Sequence, residues 1–105
     1  MIVVVFEVVP KSGRAADYFA LAGELRAELE TIDGFVSVER FESLTTKDKF
    51  VSISTWRDED AVKTWRERAR HREAQEKGKA EIFADYRIRV AHVLRDYTMS
   101  GAAAR

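Results

Sequence analysis

The chain contains no cysteine. Disulfides, thiolate nucleophiles, iron–sulfur clusters and thiolate zinc sites are therefore excluded, and the redox compartment is left unmarked. It also lacks an excess of either charge, since Lys plus Arg and Asp plus Glu each number 18. The electrostatic attraction that supplies most non-specific nucleic-acid affinity is thus missing, and no nucleic-acid partner is expected. No apolar run is long enough to span a bilayer. Residues 2–9 are apolar, but they are too short and lack the basic lead and small-residue cleavage site of a signal peptide. The expectation is no membrane partner and a cytoplasmic location.

What is present describes an ordinary soluble domain: 105 residues, 46% hydrophobic and 34% charged, enough for one core and too little for two. The domain is read as residues 1–98. Residues 99–105, small and alanine-rich, are read as a disordered tail.

Residues 2–9 are rich in β-branched side chains and end at Pro10, the only proline. They read as a strand covered on both faces, with Glu7 as its charged exception. Ser12 is the expected N-cap of a helix over 14–31, in which Tyr18, Leu21, Ala22, Leu25, Leu29 and Ile32 recur at three- and four-residue steps. Asp33-Gly34 turns the chain into a strand over 35–44, where broken alternation predicts a bulge near Glu39. After a polar loop over 45–49, residues 50–56 alternate as a strand, with Phe50, Ser52, Ser54 and Trp56 on one side. Asp58 then caps a second helix with the apolar stripe Ala61, Val62, Trp65 and Ala69, ending near Gly78. Residues 83–98 alternate again: Tyr86, Ile88, Val90, His92 and Leu94 share one face.

Strand, helix, strand, strand, helix, strand is the ferredoxin-like βαββαβ order, an α+β fold with a four-stranded antiparallel sheet and both helices on one face. The other face cannot be mostly polar, because Val3, Val5 and Val9 point there. A patch of that size is expected to pack on a second copy, giving a homodimer whose two sheets close into a barrel.

The segments VVVFEVVPKSGR, IDGFVSVERFES, FVSISTWRDEDAVKTWRE and HREAQEKGKAEIFADYRIRV, in this order, resemble the antibiotic biosynthesis monooxygenase (ABM) superfamily of small dimeric ferredoxin-like domains. The resemblance runs to about Tyr97. It implies a cavity between the sheet and the second helix. The family it implies includes cofactor-free oxygenases that convert phenols or quinols to quinones, enzymes that bind and degrade haem, and many members with no established activity. In the haem-degrading branch a histidine on the second helix ligates iron, a tryptophan presses on the macrocycle and an asparagine on the first strand contacts the distal side. His71 and Trp65 match the first two residue types at a shorter spacing. No asparagine occurs in this chain, and the first strand offers Phe6 and Glu7 instead.

His71 is the helix-borne group that titrates near neutral pH, and it is the candidate catalytic base toward a phenolic hydroxyl. The opposing reading is a solvated histidine among Arg70, Arg72 and Glu73. On a continuous helix it stands about 120° around from Trp65. Trp65 and Trp56 are the candidates to hold an aromatic ring, with Tyr86 and Phe83 lining the same cavity and Arg72 or Arg68 steering an anionic group. Core packing for the aromatics and a salt-bridged surface for the arginines are the plainer alternatives. His92, among Val90 and Leu94, reads as a buried or interface histidine. Two histidines on separate elements form no metal constellation. The leading expectation is a cofactor-independent monooxygenase that oxidises or binds a small aromatic metabolite. Its alternatives are a haem-degrading enzyme, with haem as cofactor, and a non-catalytic dimeric ligand-binding protein.

Overall fold

β-Branched residues set the frame of the molecule, because they lose little freedom on a pleated surface and supply six of the first strand's nine positions. A computed structural model describes residues 1–75 and 82–101, the side chains of 70–75 excepted. Its elements are β1 (Ile2–Pro10), α1 (Ala15–Leu29), β2 (Phe35–Glu42), β3 (Phe50–Trp56), α2 (Glu59–Gln75) and β4 (Phe83–His92). The strands form one antiparallel sheet in the order β2-β3-β1-β4. This is the expected ferredoxin-like βαββαβ fold.

The register sorts the side chains. Ile2, Val4, Phe6 and Val8 of β1 lie opposite Trp56, Ser54, Ser52 and Phe50 of β3. On the other flank they lie opposite His92, Val90, Ile88 and Tyr86 of β4. Directly opposed residues in an antiparallel pair share a face, so all twelve point the same way. The helices cover that side in two clusters. Leu29 and Ile32 from the end of α1 and its exit, with Ala61 and Val62 of α2, close over Ile2, Val4 and Trp56. Tyr18, Leu21 and Ala22 of α1, with Ile82, close over Val8 and Phe50.

Two joints hold the helices there. Asp58 caps α2 as expected, its Oδ1 accepting the Ala61 amide at 3.0 Å. Gly34 adopts φ +92, and a Cβ built on it would lie 2.7 Å from the Ala61 Cβ, so this turn sits against the start of α2 only as glycine. The Arg57 amide donates to the Gly34 carbonyl at 2.7 Å across the same joint.

Several sequence expectations are corrected. Ser12 is not the cap of α1. The helix begins after Arg14, which makes no side-chain capping bond, because Gly13 at φ +78 inserts a turn between them. The β2 bulge is not near Glu39 but at Val36, between Phe35 and Ser37 in the register. The stagger there sends Val38 and Arg40 to the helix side and Glu39 and Phe41 to the other. β4 ends at His92 rather than continuing to residue 98. Gly78 lies outside the described residues, as do positions 102–105 of the tail.

The second face of the sheet carries Val3, Val5 and Val9 of β1, Val51, Ile53 and Thr55 of β3, and Phe41 of β2. Ile53 and Phe41 are exposed in the single chain. Glu7 interrupts this face in mid-strand, with Lys49 Nζ 2.8 Å from its Oε1 and Arg89 Nη1 3.7 Å from its Oε2.

Candidate functional site

The helix-facing side of the sheet is covered unevenly, and the uncovered part is the candidate site. Over β1 and β3 the residues are fully packed: Val8 and Trp56 are 0% exposed and Val4 is 2% exposed. Over β4, on the same face, Tyr86 is 54%, Ile88 49% and Val90 50% exposed. β4 is an edge strand, and α2 packs on β3. The half-exposed apolar row along β4, bordered on its inner edge by Phe6 of β1, is the candidate trough. Phe6 meets Tyr86 edge-on at 5.8 Å and Phe83 at 6.0 Å between ring centroids, and Phe83 stacks on Tyr86 at 6.3 Å. These contacts make one end of the trough aromatic. At the other end, residues 92–97 line an open groove of about 490 Å³.

The sequence-predicted residues divide among distinct places. Trp65 is half-buried, packs on the cluster that contains Ile2 and Trp56, and lies 5.8 Å from the Trp56 ring. Trp56 has no exposed surface. Its indole Nε1 donates to Ser54 Oγ at 2.9 Å, and Phe35 meets its ring edge-on. It therefore backs Trp65 from beneath and presents no surface of its own to a ligand. Tyr86 stands in the trough, while Phe83 is half-buried and joins Tyr18 in the core. The backbone of α2 carries His71 and Arg72 through its last turns; both side chains lie outside the described residues. His92 is not buried within the chain. It is exposed on the same row as Val90. Its parity with Val90 and Leu94 was legible from the sequence, whereas the missing cover was not.

The electrostatics around the site follow from position. Arg68 Nη1 donates to Thr31 Oγ1 at 3.2 Å, which ties α2 to the exit of α1. Arg40 Nη2 reaches the Ala22 carbonyl at 3.3 Å. Burial pushes the Tyr18 phenol above its ordinary pKa, opposed in part by the Arg40 charge, so this hydroxyl remains protonated at neutral pH. The Asp58 carboxyl is held low, first by the Ala61 amide and then by Arg57. Among the described residues no group of three or more His, Cys, Asp or Glu side chains is placed to hold a metal ion, and no helix is long and apolar enough to cross a membrane.

A haem-degrading site does not fit the residues of β1. The position that would need a distal hydrogen-bonding group falls at Phe6 and Glu7. Phe6 is engaged with aromatic rings in the trough. Glu7 belongs to the opposite face of the sheet, tied to Lys49 and Arg89. β1 therefore brings no polar side chain to the helix-side cavity at that height.

Comparison with known proteins agrees with this fold. A Deinococcus radiodurans protein superposes with a TM-score of 0.79 over 96% of this chain and 100% of its own, at 17% identity. SnoaB from Streptomyces nogalater, described as a cofactor-independent oxygenase, superposes with a TM-score of 0.74 over 90% and 93%, at 15% identity. In sequence, the jasmonate monooxygenase ABM of Pyricularia oryzae is 41% identical over 93 residues, which is 89% of this chain and 43% of that protein. The chain thus spans less than half the length of that curated relative. Residues 1–77 match the sequence profile of the family described as antibiotic biosynthesis monooxygenase, and the chain belongs to the ABM family.

Proposed function

We propose that the chain is a monooxygenase that oxidises a small aromatic hydroxyl compound, a phenol or quinol, with dioxygen and without flavin or metal. The observation that carries this reading is the half-exposed apolar row of β4, walled by Phe6 and Tyr86 beside a fully packed core, in a chain of a monooxygenase family. A flat ring buries its faces there, and few polar groups are needed to orient it. Trp65, seated on Trp56, borders the ring site from α2. His71 is the base that takes the hydroxyl proton. The resulting phenolate is electron-rich enough to reduce dioxygen, one oxygen atom entering the ring as a carbonyl and the other leaving as water. Arg72 steers an anionic substituent.

The working unit in this reading is a homodimer joined through the second sheet face, whose exposed Phe41 and Ile53 call for cover. Sedimentation velocity at micromolar concentration is expected to give twice the chain mass; a monomer there would remove the dimer from the proposal.

A second substrate class has a specific observation behind it. The 41% identical relative is named for jasmonate, an alicyclic ketone that carries a carboxylate, and an apolar trough also accepts that shape. Oxygen uptake with mass spectrometry of the products separates the two. Naphthols gaining a carbonyl oxygen support the aromatic reading. Jasmonate gaining oxygen while naphthols stay intact replaces it with the second. Uptake with neither class ends the monooxygenase proposal for both.

A further inference from the structure

Oxidation of a phenol to a quinone releases two protons, one from the hydroxyl and one from the ring carbon that becomes the new carbonyl. A single base on α2 accounts for the first. We propose that His92 is the second proton acceptor of the site, contacting the bound ring from the β4 wall. This inference rests on the trough being the substrate site.

The placement is carried by the sheet register. Ile2 is opposed by Trp56 on one side and His92 on the other, so the three form one level across β3, β1 and β4 on the helix-facing side. Neighbouring strands are about 4.8 Å apart, which sets His92 about 10 Å from Trp56 in the backbone. Trp65 packs on the cluster formed by Ile2 and Trp56 at this level. His92 therefore ends the exposed row at the same height as Trp65. From Ile88 through Val90 to His92 the wall is two apolar side chains and then an imidazole, about 13 Å long at the usual rise of a strand.

Three further observations fit. His92 is exposed, so a ligand can reach it. It makes no hydrogen bond or ion pair with another described residue, so the imidazole is available in either tautomer. Among the described residues, the charged and titratable groups beside it are those of its own groove, Arg95, Asp96 and Tyr97, together with the chain's first residue, Met1, whose carbonyl accepts the Val93 amide at 3.1 Å. Ile88 and Val90, the row's members next to it, supply no competing acid or base.

The step balances without another co-reactant. Dioxygen adds to the phenolate carbon as a peroxide. His92 then takes the hydrogen from that carbon as the O–O bond breaks and a carbonyl forms. The protons held by the two bases leave with the departing oxygen as water, which returns both imidazoles to the neutral form. For 1-naphthol the sum is naphthol plus dioxygen giving 1,4-naphthoquinone plus water.

The test uses 1-naphthol and the full chain. The chain has two histidines, so the imidazole NMR spectrum has two sets of signals, assigned with His71→Gln and His92→Gln. Titration with 1-naphthol is expected to move the His92 signals along the same saturation curve as Trp65 fluorescence. His92→Gln is expected to lower turnover by about a hundredfold, the scale of general-base catalysis, with KM little changed. It is also expected to expose a primary isotope effect with ring-deuterated naphthol that the wild-type enzyme lacks. Saturable quenching with unmoved His92 signals overturns the proposal and leaves the trough as the site. An unchanged turnover and isotope effect in His92→Gln overturns it as well. Absence of any saturable naphthol binding instead overturns the trough reading itself, and this inference with it.

Discussion

Val4 and Val90 are the same residue type, sit opposite one another on adjacent strands and point to the same face, yet Val4 is 2% exposed and Val90 50%. The difference lies in coverage. Val4 is roofed by Leu29, Ile32, Ala61 and Val62 from the two helices, whereas β4 is an edge strand with its row left half open. Exposure of a large apolar row is unfavourable by about 25 cal/mol for each Å² left in water, and the domain maintains it next to a well-packed core. An open apolar row in such a place has the properties of a binding surface rather than of a folding defect.

Mutation separates the two halves most sharply at their extremes. Trp56→Ala removes a side chain with no exposed surface and strands the Ser54 hydroxyl; it is expected to cost about 3–5 kcal/mol in chemical denaturation. Val4→Ala is expected to cost about 2 kcal/mol. Val90→Ala, one strand away, is expected to stay within about 0.5 kcal/mol, as exposed substitutions do, while weakening naphthol binding. If Val90→Ala were as destabilising as Val4→Ala, the row would be covered in solution and the trough would not exist.

The covered half was largely legible in the sequence, and the open half was not. Spacing alone found both helices, because Tyr18, Leu21, Ala22 and Leu29 keep the 3.6-residue period and all are buried. It also placed Phe50, Ser52, Ser54 and Trp56 on one face, as the register shows. Alternation in β4 grouped Tyr86, Ile88, Val90 and His92 correctly, yet periodicity says only which residues share a face. Which strand the helices leave bare is decided by sheet order and helix placement, and that is why His92, read as a buried or interface histidine, is exposed in the single chain. The same limit misplaced the β2 bulge: Val36 and Glu39 both interrupt the pattern, and only pairing with Thr55 and Trp56 decides between them. The cap at Ser12 failed because Gly13 adds a residue in the left-handed region, which spacing does not register.

The seat of α2 on the covered half can be disturbed without touching the core. Gly34→Ala places a Cβ 2.7 Å from that of Ala61 and 3.3 Å from Arg57 Nη2, at a backbone φ of +92. Strain of this kind costs about 1–3 kcal/mol. The expected outcome is a loss of that size in denaturation, with Trp65 fluorescence changed because α2 must shift away from the joint. β4 lies two strands away from β3, on which α2 packs, so the imidazole signals of His92 should stay in place. If they moved as far as the Trp65 signal, the two halves would not be independent.

The smallest effect is expected on the other side of the same strand. Glu7 follows Phe6 in β1 and faces the second sheet surface, where Lys49 from the loop before β3 and Arg89 of β4 approach it. Its carboxyl is held below the ordinary value of 4.5, chiefly by the hydrogen bond from Lys49, against partial burial and with added help from the charges of Lys49, Arg89 and Arg87. A carboxyl with a lowered folded pKa contributes stability that is complete above its unfolded value and fades as the pH falls through the folded one. Glu7→Gln should therefore melt below the wild-type chain at neutral pH, and the gap should close progressively below 4.5. Added salt should narrow it at neutral pH, since the triad retains some solvent contact. A gap that stayed constant across this range would mean that the charge of Glu7 contributes nothing and that the side chain serves only to fill space. Loss of the proposed dimer in Glu7→Gln at neutral pH, with the chain still folded, would instead assign the triad to the contact between copies, where a lone charge in an apolar face fixes how two sheets meet.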